Sequence, residues 1–145
     1  MTDLQTMLMS QEGTGPRDQH GRFLPYPDSL GKLTIGYGHL VEKGVPPDIA
    51  LMLFNTDIAD ALDDVQHVCS CYDQLSRPRQ LVLVSLAYNL GREKLSQFVR
   101  FLGAIHLSHW EEAADELLNS KAAKQAPERY SQLATMMRTD LSLWL

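Results

Sequence analysis

Apolar residues recur every three or four positions over most of the chain, and this spacing predicts helices. A short helix is expected from Asp3 to about Gln11, capped by Thr2 or Asp3, because three apolar residues share one face there: Leu4, Met7 and Leu8. A longer helical rhythm begins after Pro46-Pro47, where prolines mark a helix start, and continues to about Cys71. The N-terminal half is therefore predicted to hold a short helix and a long one.

Residues 13–41, between those two helices, have a different pattern. They contain most of the glycines of the chain, and apolar residues stand between them: Phe23, Tyr26, Leu33, Ile35 and Tyr37. Such a mixture is typical of a small, twisted antiparallel sheet with tight turns, and the segment 29–32 is a suitable connecting turn.

Shorter helices are expected after the long one. One begins at Ser76 with Pro78 in its first turn and ends near Gly91, and a second runs from Glu93 to His106. The segment 108–111 has the spacing of a capping box and opens a third, and Pro127 opens the last, which runs through Arg138. No internal repeat or low-complexity tract is apparent.

These elements predict an α+β fold that is mainly helical. We expect one domain over residues 1–145, with a small β lobe at 13–45, an inter-lobe helix within 46–75 and a helical lobe at 76–145. A chain of 145 residues, 44% hydrophobic, is long enough for one good core and too short for two ordinary domains.

The charge of the chain narrows the classes of partner. The net charge is −5, with 4 Lys/Arg against 11 Asp/Glu in residues 1–75 and 9 against 7 in residues 76–145. Nonspecific nucleic-acid binding needs clustered cations, so no nucleic-acid partner is expected. The mildly basic C-terminal part could meet an anionic polymer, although a solvated surface explains it equally simply.

The cysteines and histidines predict neither a disulfide nor a metal site. Cys69 and Cys71 would point to different faces of the long helix, so we expect two reduced, packing thiols. The histidines lack the companions that a zinc site requires. The N-terminus lacks the basic start and apolar run of a signal peptide, so none is expected. No stretch reaches the ~18 apolar residues that a membrane span requires.

The candidate chemistry centres on residues 34–39, which read Thr-Ile-Gly-Tyr-Gly-His and follow two carboxylates, Glu12 and Asp28. Glycines at alternate positions let the backbone turn tightly and let a ligand approach it. Glycoside hydrolysis uses a pair of carboxylates, one to protonate the leaving oxygen and one to activate water or stabilise the sugar cation. Carboxylate pairs are common in proteins, so the interpretation rests on the two carboxylates together with the glycine-rich segment that follows them.

In this pattern the chain resembles the phage-type (T-even phage-like) lysozymes, the endolysin muramidases, over nearly its whole length. The family ends its first helix with a Glu-Gly step, matched by Glu12-Gly13, and has Tyr-x-Asp in its sheet, matched by Tyr26 and Asp28. The segment 34–39 matches the family's Thr-Ile-Gly-x-Gly-His. Further matches lie at residues 53–57, 89–91, 110–114 and 125–129.

The resemblance implies that Glu12 is the general acid and that Asp28, with Thr34, positions and activates the attacking water. This arrangement indicates an inverting mechanism, which requires carboxyl groups ~6.5–9.5 Å apart. Read without the resemblance, Glu12 is a solvated residue at a helix end, Asp28 caps a turn, and Thr34 is a β-branched residue in a strand. Burial of Glu12 would favour its protonated form, whereas an ion pair would oppose it.

The resemblance also implies support for the site. Arg129 would pair with Glu12, while His39 and Asp57 would form a structural ion pair between the sheet and the long helix. Leu40 and Tyr88 match substrate-binding positions of the cleft. No metal and no cofactor are expected.

One region departs from the family pattern, because sixteen positions separate Glu12 from Asp28, several more than in the T-even phage enzyme. The additional residues lie within 14–25. They leave Asp18 open as the second carboxylate, although Tyr26 and the spacing to Thr34 favour Asp28. The segment could be a solvated turn or could present its cations to the substrate: Arg17, His20 and Arg22.

By resemblance, the expected activity is cleavage of the peptidoglycan glycan strand between N-acetylmuramic acid and N-acetylglucosamine. The enzyme would be a monomer in the host cytoplasm before a holin releases it to the cell wall. Two alternatives stay open: a wall-binding module without activity, and a structural component of a virion.

Overall fold

The computed structural model describes residues 1–144 and consists mainly of helices with one small sheet. The three strands are β1 Tyr26–Pro27, β2 Leu33–Ile35 and β3 His39–Leu40. The helices are α1 Asp3–Glu12, α2 Pro47–Val68, α3 Arg77–Ser96, α4 Val99–His106, α5 Trp110–Leu118, α6 Lys121–Gln125 and α7 Pro127–Thr139, with 3₁₀ turns at Val41–Lys43 and Tyr72–Gln74. The predicted α+β, mainly helical class is confirmed.

The chain divides into two compact units, one formed by Met1–Met52 and the other by the residues from Leu53 onward. The first unit holds α1 and the whole sheet, and the second holds α3 to α7. Helix α2 begins in the first unit and continues into the second. The lobe boundaries expected from the sequence stay a prediction.

Helix α1 begins and ends as its sequence predicts. The Thr2 hydroxyl accepts a hydrogen bond from the Gln5 N–H at 3.2 Å, and the Thr2 N–H donates to Gln5 Oε1 at 2.8 Å, which completes a capping box. The helix ends at Glu12, and Gly13 follows with φ 68° and donates its N–H to the Met9 carbonyl. Glu12 is thereby fixed as the last helical residue.

The sheet is antiparallel with the strand order β1-β2-β3, as predicted. Tyr26 pairs with Thr34 on one side of the central strand, and Leu40 pairs with Thr34 on the other. Thr34 is 2% exposed and is the buried residue of the first unit. The predicted turn at residues 29–32 connects β1 to β2.

The hydrophobic core lies in the second unit. Its largest fully buried side chains come mainly from α3, α4, α5 and α7: Leu83, Leu86, Leu95, Phe101, Ile105, Leu117, Met136 and Met137. Helical periodicity places these residues on inward faces, and their burial supplies the main apolar stabilisation of the unit.

The predicted end of the long helix, and with it the predicted orientation of the two thiols, is wrong. Helix α2 ends at Val68, so Cys69 and Cys71 lie in the turn that follows. Their Sγ atoms face each other at 3.0 Å as a hydrogen-bonded pair of free thiols. Burial, with the bond to Cys71, raises the pKa of Cys69 to about 12.

The predicted end of a helix near Gly91 is confirmed, because α3 consists of two helical segments that meet at a kink, where Gly91 has φ 78° and ψ 169°. Two further predictions in the helical unit are wrong. The expected helix from Glu93 to His106 does not exist as one element, because α3 continues to Ser96 and α4 begins at Val99. The expected capping box does not form either, because His109 occupies the cap and its side chain makes no capping hydrogen bond to the backbone of α5.

Candidate active site

The candidate acid, Glu12, lies beside the glycine turn of residues 36–38. A Cβ atom added to Gly38 would lie 2.8 Å from Glu12 Oε2, closer than Cβ atoms approach other atoms in proteins, and 3.1 Å from its Cδ, which is a tight contact. Gly38 also has φ 81°, a conformation that favours glycine. The sequence pattern of the turn thus has a physical cause, because the absent side chain makes room for the carboxylate. Glu12 is exposed, so the burial considered from the sequence is absent.

The second candidate carboxylate, Asp28, caps the turn between β1 and β2. Its Oδ1 accepts hydrogen bonds from the N–H groups of Leu30, at 2.9 Å, and Lys32, at 2.8 Å. The backbone closes the same turn, since the Asp28 N–H donates to the Lys32 carbonyl and the Gly31 N–H donates to the Asp28 carbonyl. Asp28 therefore caps the turn, as the sequence suggests for an aspartate at this position, and its Oδ2 atom takes no part in these hydrogen bonds.

The backbone of Lys32 links Asp28 to Thr34. The Thr34 hydroxyl donates to the Lys32 carbonyl at 3.0 Å, the same oxygen that accepts the Asp28 N–H at 2.8 Å. Two side chains six positions apart in the sequence are thus bonded to the backbone of one residue, Asp28 to the Lys32 N–H and Thr34 to the Lys32 carbonyl. Because the Thr34 hydroxyl donates its hydrogen to a carbonyl, its oxygen can act only as an acceptor toward another group.

The two candidate carboxylates are anchored at opposite ends of β2. The Asp28 turn immediately precedes this strand, and the turn that contacts Glu12 immediately follows it. Gly38 directly precedes His39, which pairs with Ile35, so the turn that contacts Glu12 lies at the far end of β2 from Lys32. The three extended residues of β2 place about 10 Å between these two ends, so the two anchors are not adjacent.

The structure places the remaining predicted site residues as follows. Leu40 is half-buried on β3, opposite Thr34, and His39 Nε2 lies 2.7 Å from the Gly44 carbonyl. In the second unit, Tyr88 is 43% exposed and its ring meets Phe54 edge-to-face with centroids 5.9 Å apart.

The last two predicted support residues are also in the second unit. Arg129 Nη1 donates to Asn89 Oδ1 at 2.6 Å, and Asp57 is exposed on α2. The roles implied for Arg129, for Asp57 with His39, and for Leu40 and Tyr88 stay predictions.

A second aspartate turn, missed in the sequence, precedes the first by ten residues. Asp18 Oδ1 accepts from the N–H groups of His20, at 2.8 Å, and Arg22, at 2.9 Å, and the Asp18 N–H donates to the Arg22 carbonyl. Gly21 closes the turn on the Asp18 carbonyl, as Gly31 does on Asp28.

The strand contacts beside the two turns repeat as well. An antiparallel bridge joins Arg17 to Phe23, as Pro27 pairs with Leu33. The signal was present as Asp-x-x-Gly followed by Arg or Lys, so the expectation of no internal repeat fails at this short scale.

The ionisation of Asp18 bears on whether it could be the second catalytic carboxylate. The Arg22 N–H, the largest of several influences, holds the pKa of Asp18 below its usual value. A general base is most effective with a pKa near the working pH, so a lowered pKa makes Asp18 a poor candidate base.

No three or more His, Cys, Asp or Glu side chains converge as a metal centre would require anywhere in residues 1–144. The same described part of the chain contains no helix that is both long and apolar enough to cross a membrane.

Glycoside hydrolysis uses a pair of carboxylates, and two candidate carboxylates flank β2 here. The family model described as phage lysozyme matches residues 19–135, and the chain belongs to this family. Membership supports glycoside hydrolase activity of the lysozyme kind. The match includes Asp28 and Thr34 and begins after Glu12.

Individual relatives are distant and extend over most of the chain. Two proteins of Dictyostelium discoideum, probable T4-type lysozymes 2 and 1, are 24% and 22% identical to it. The first match covers 96% of this chain and 95% of the relative, and the second covers 84% and 89%. The pre-baseplate central spike protein Gp5 of Enterobacteria phage T4 is 27% identical over 85% of this chain and 26% of its own length.

Proposed function

We propose that the protein hydrolyses the β-1,4 bond between N-acetylmuramic acid and N-acetylglucosamine in bacterial peptidoglycan. One observation carries the proposal: three candidate catalytic side chains are anchored around the three-residue strand β2. Glu12 lies against Gly38 after the strand, and Asp28 and Thr34 both bond the backbone of Lys32 at its start. Family membership supplies the chemical class.

In the proposed reaction, Glu12 donates a proton to the glycosidic oxygen as the bond to the sugar carbon breaks. The proton passes to the leaving sugar, and the carboxylate that remains takes up another from solvent before the next turnover. The exposure of Glu12 permits that exchange.

Asp28 and Thr34 would hold the attacking water. Since the Thr34 hydroxyl donates to the Lys32 carbonyl, its oxygen accepts one hydrogen of the water. Asp28 Oδ2 accepts the other hydrogen and removes it as the water oxygen bonds to the sugar carbon, because Oδ1 is held by two backbone N–H groups. The lone pair of the water is then directed at the sugar. After the attack, Asp28 releases to solvent the proton that it removed from the water, which balances the proton that Glu12 takes up.

We further propose an inverting mechanism. Glu12 and Asp28 are anchored at opposite ends of β2, which supports a separation that admits water rather than the ~5 Å of retaining enzymes. Early product should then carry the α configuration at its new reducing end, which NMR of a fresh digest measures.

The remaining site residues enter this proposal as support. Leu40 and Tyr88 are proposed as substrate-binding residues, and Arg129, His39 and Asp57 as residues that support the site, on the strength of the family resemblance alone. The enzyme acts as a monomer, waits in the host cytoplasm and reaches the wall when a holin opens the membrane.

The test is clearing of a suspension of purified cell wall by wild type and by Glu12→Gln. The amide keeps the shape of the side chain but cannot supply the proton, so the rate should fall at least ~100-fold. Glu93→Gln, at an exposed position on α3, is the matched control and should clear the wall at the wild-type rate. If Glu12→Gln keeps more than about a tenth of the rate, the acid lies elsewhere.

A second candidate function is a wall-binding component of a virion without activity. The similarity to a spike protein of phage T4 favours considering it. The same assay separates the two, because such a component would sediment with purified wall and never clear it.

A further inference from the structure

The additional segment between α1 and β1 is a built hairpin that packs onto the sheet. Its turn carries the four hydrogen bonds of the Asp18 cap, and the Leu24 N–H donates to the Pro16 carbonyl at 3.0 Å. At the base of the hairpin, Gly15 has φ 60° and packs against the Tyr26 ring so closely that an added Cβ atom would overlap the ring. The hairpin is therefore fixed to β1, which leads into the turn of Asp28.

A cation and two aromatic rings connect this hairpin to the glycine turn. The Arg17 guanidinium carbon lies 4.2 Å above the centre of the Phe23 ring. Phe23 in turn meets Tyr37 edge-to-face, with centroids 5.3 Å apart. Tyr37 is 44% exposed and is the neighbour of Gly38, against which Glu12 lies. The series Arg17–Phe23–Tyr37 thus extends outward from the candidate acid.

Arg17 is the cation of this hairpin that is suited to an external anion. It is exposed, and it forms no ion pair with any residue in the described range 1–144. A guanidinium held over a ring face keeps its N–H edge directed outward, where it matches a carboxylate in two parallel hydrogen bonds. Arg22, by contrast, already has an interaction within the chain, and the His20 ring lies 3.2 Å from the Gln19 amide nitrogen.

We infer that Arg17, oriented by Phe23, binds a carboxylate of the peptide stems that branch from the glycan strand. This inference rests on the proposed function, in which the strand passes Glu12. A stem attached to a muramic acid bound there projects away from the glycan and carries free carboxylates. Arg17 contributes a specificity contact for the intact wall, and Phe23 acts as a positioning residue through Arg17.

The experiment measures equilibrium binding to three insoluble polymers by sedimentation. All proteins carry Glu12→Gln so that the polymer is not consumed. The polymers are intact peptidoglycan, peptidoglycan stripped of its stems by an amidase, and chitin. Stripping frees the lactyl carboxylate of muramic acid, and chitin carries no carboxylate, so the set separates the two sources of negative charge.

Arg17→Ala should weaken binding to intact peptidoglycan about tenfold, as loss of a charge-assisted hydrogen bond does, and leave binding to the stripped polymer within about twofold. Arg17→Lys should recover only part of the loss, because an ammonium lacks the planar pair of donors. Arg100→Ala removes one exposed cation from α4 and serves as the matched charge control, with no expected effect.

Phe23→Leu should reproduce part of the Arg17→Ala loss, and the double variant should bind no more weakly than Arg17→Ala alone, because Phe23 acts through Arg17. Three results would overturn the inference: an unchanged affinity of Arg17→Ala for intact wall, an equal loss on all three polymers, or a loss on the stripped polymer as large as on the intact one. Failure of the proposed function looks different, since the wild type would then not clear wall, whether or not the parent protein sediments with it.

Discussion

Different interactions stabilise each of the two units internally. In residues 1–52 the single buried side chain is that of Thr34, whereas every buried apolar residue of the described chain lies at or after Ala61. The first unit has capped turns and glycines in conformations with positive φ instead. The candidate chemistry is found in the unit that lacks a core.

The difference indicates how a small sheet can hold reactive groups without burying them. A packed core fixes side chains by excluding water, which also removes them from substrate. Turn hydrogen bonds fix the backbone and leave the side-chain tips exposed, as at Asp28. The cost is a low local stability, since few apolar contacts oppose the opening of such a region.

The largest expected effect is on the core of the second unit. Phe101→Ala should lower the free energy of unfolding by about 3–5 kcal/mol, because Phe101 is 2% exposed and its loss leaves a cavity. Met7→Ala, on α1 where Met7 is 48% exposed, should change it by about 0.5 kcal/mol or less. Urea unfolding of both variants measures this contrast, and equal losses would show that the first unit has apolar support of its own.

The next largest effect separates the two aspartate turns. Asp28→Asn should lower wall clearing about 100-fold, near 2.7 kcal/mol in the barrier, while Asp18→Asn should leave it near wild type. An asparagine oxygen can still accept the two backbone N–H groups of either turn, so both variants should fold. The reverse order of activities would move the second carboxylate to Asp18.

A smaller effect tests the contact between Glu12 and the glycine turn. Gly38→Ala should cost about 1–3 kcal/mol of stability and reduce clearing, because the new methyl group combines strain with displacement of the carboxylate. Gly36→Ala is the control, since Gly36 has φ 64° but open space around it. If both variants clear wall equally, the position of Glu12 does not depend on Gly38.

The smallest effect is a pH dependence of the first unit. The pKa of Asp18 is lowered in the folded chain, so its contribution to stability is present above its ordinary value of 3.8 and is lost as the pH falls through the folded value. Wild type should therefore exceed Asp18→Asn in melting temperature at pH 7, and the difference should close in acid. A difference that does not change from pH 7 to pH 2.5 would contradict this assignment.

Local chemistry explains which elements the sequence predicts well. The cap at Thr2 and the proline that begins α7 involve neighbouring residues only, and both elements appear as expected. No glycine or proline marks the end of α2, so the sequence predicted this end too late and placed the two thiols on the helix. Their approach to 3.0 Å follows from the turn and not from helical spacing.

The candidate site could be read from its motif, but its geometry could not. The spacing of six residues between Asp28 and Thr34 does not indicate that both side chains bond the backbone of Lys32. The function of Gly38 as space for Glu12 likewise appears only when α1 is folded beside the turn. Both features depend on contacts between residues that are distant in the sequence, and local propensities do not predict such contacts.

The two aspartate turns also bear on how the length of this segment could vary. Their shared pattern recurs with a period of ten residues, so the gap in an alignment can be placed at either copy. The family match begins at residue 19, inside the first copy. Deleting one period would join two like half-turns into a single closed hairpin, so this part of the chain can change length in modular steps while the sheet keeps its register.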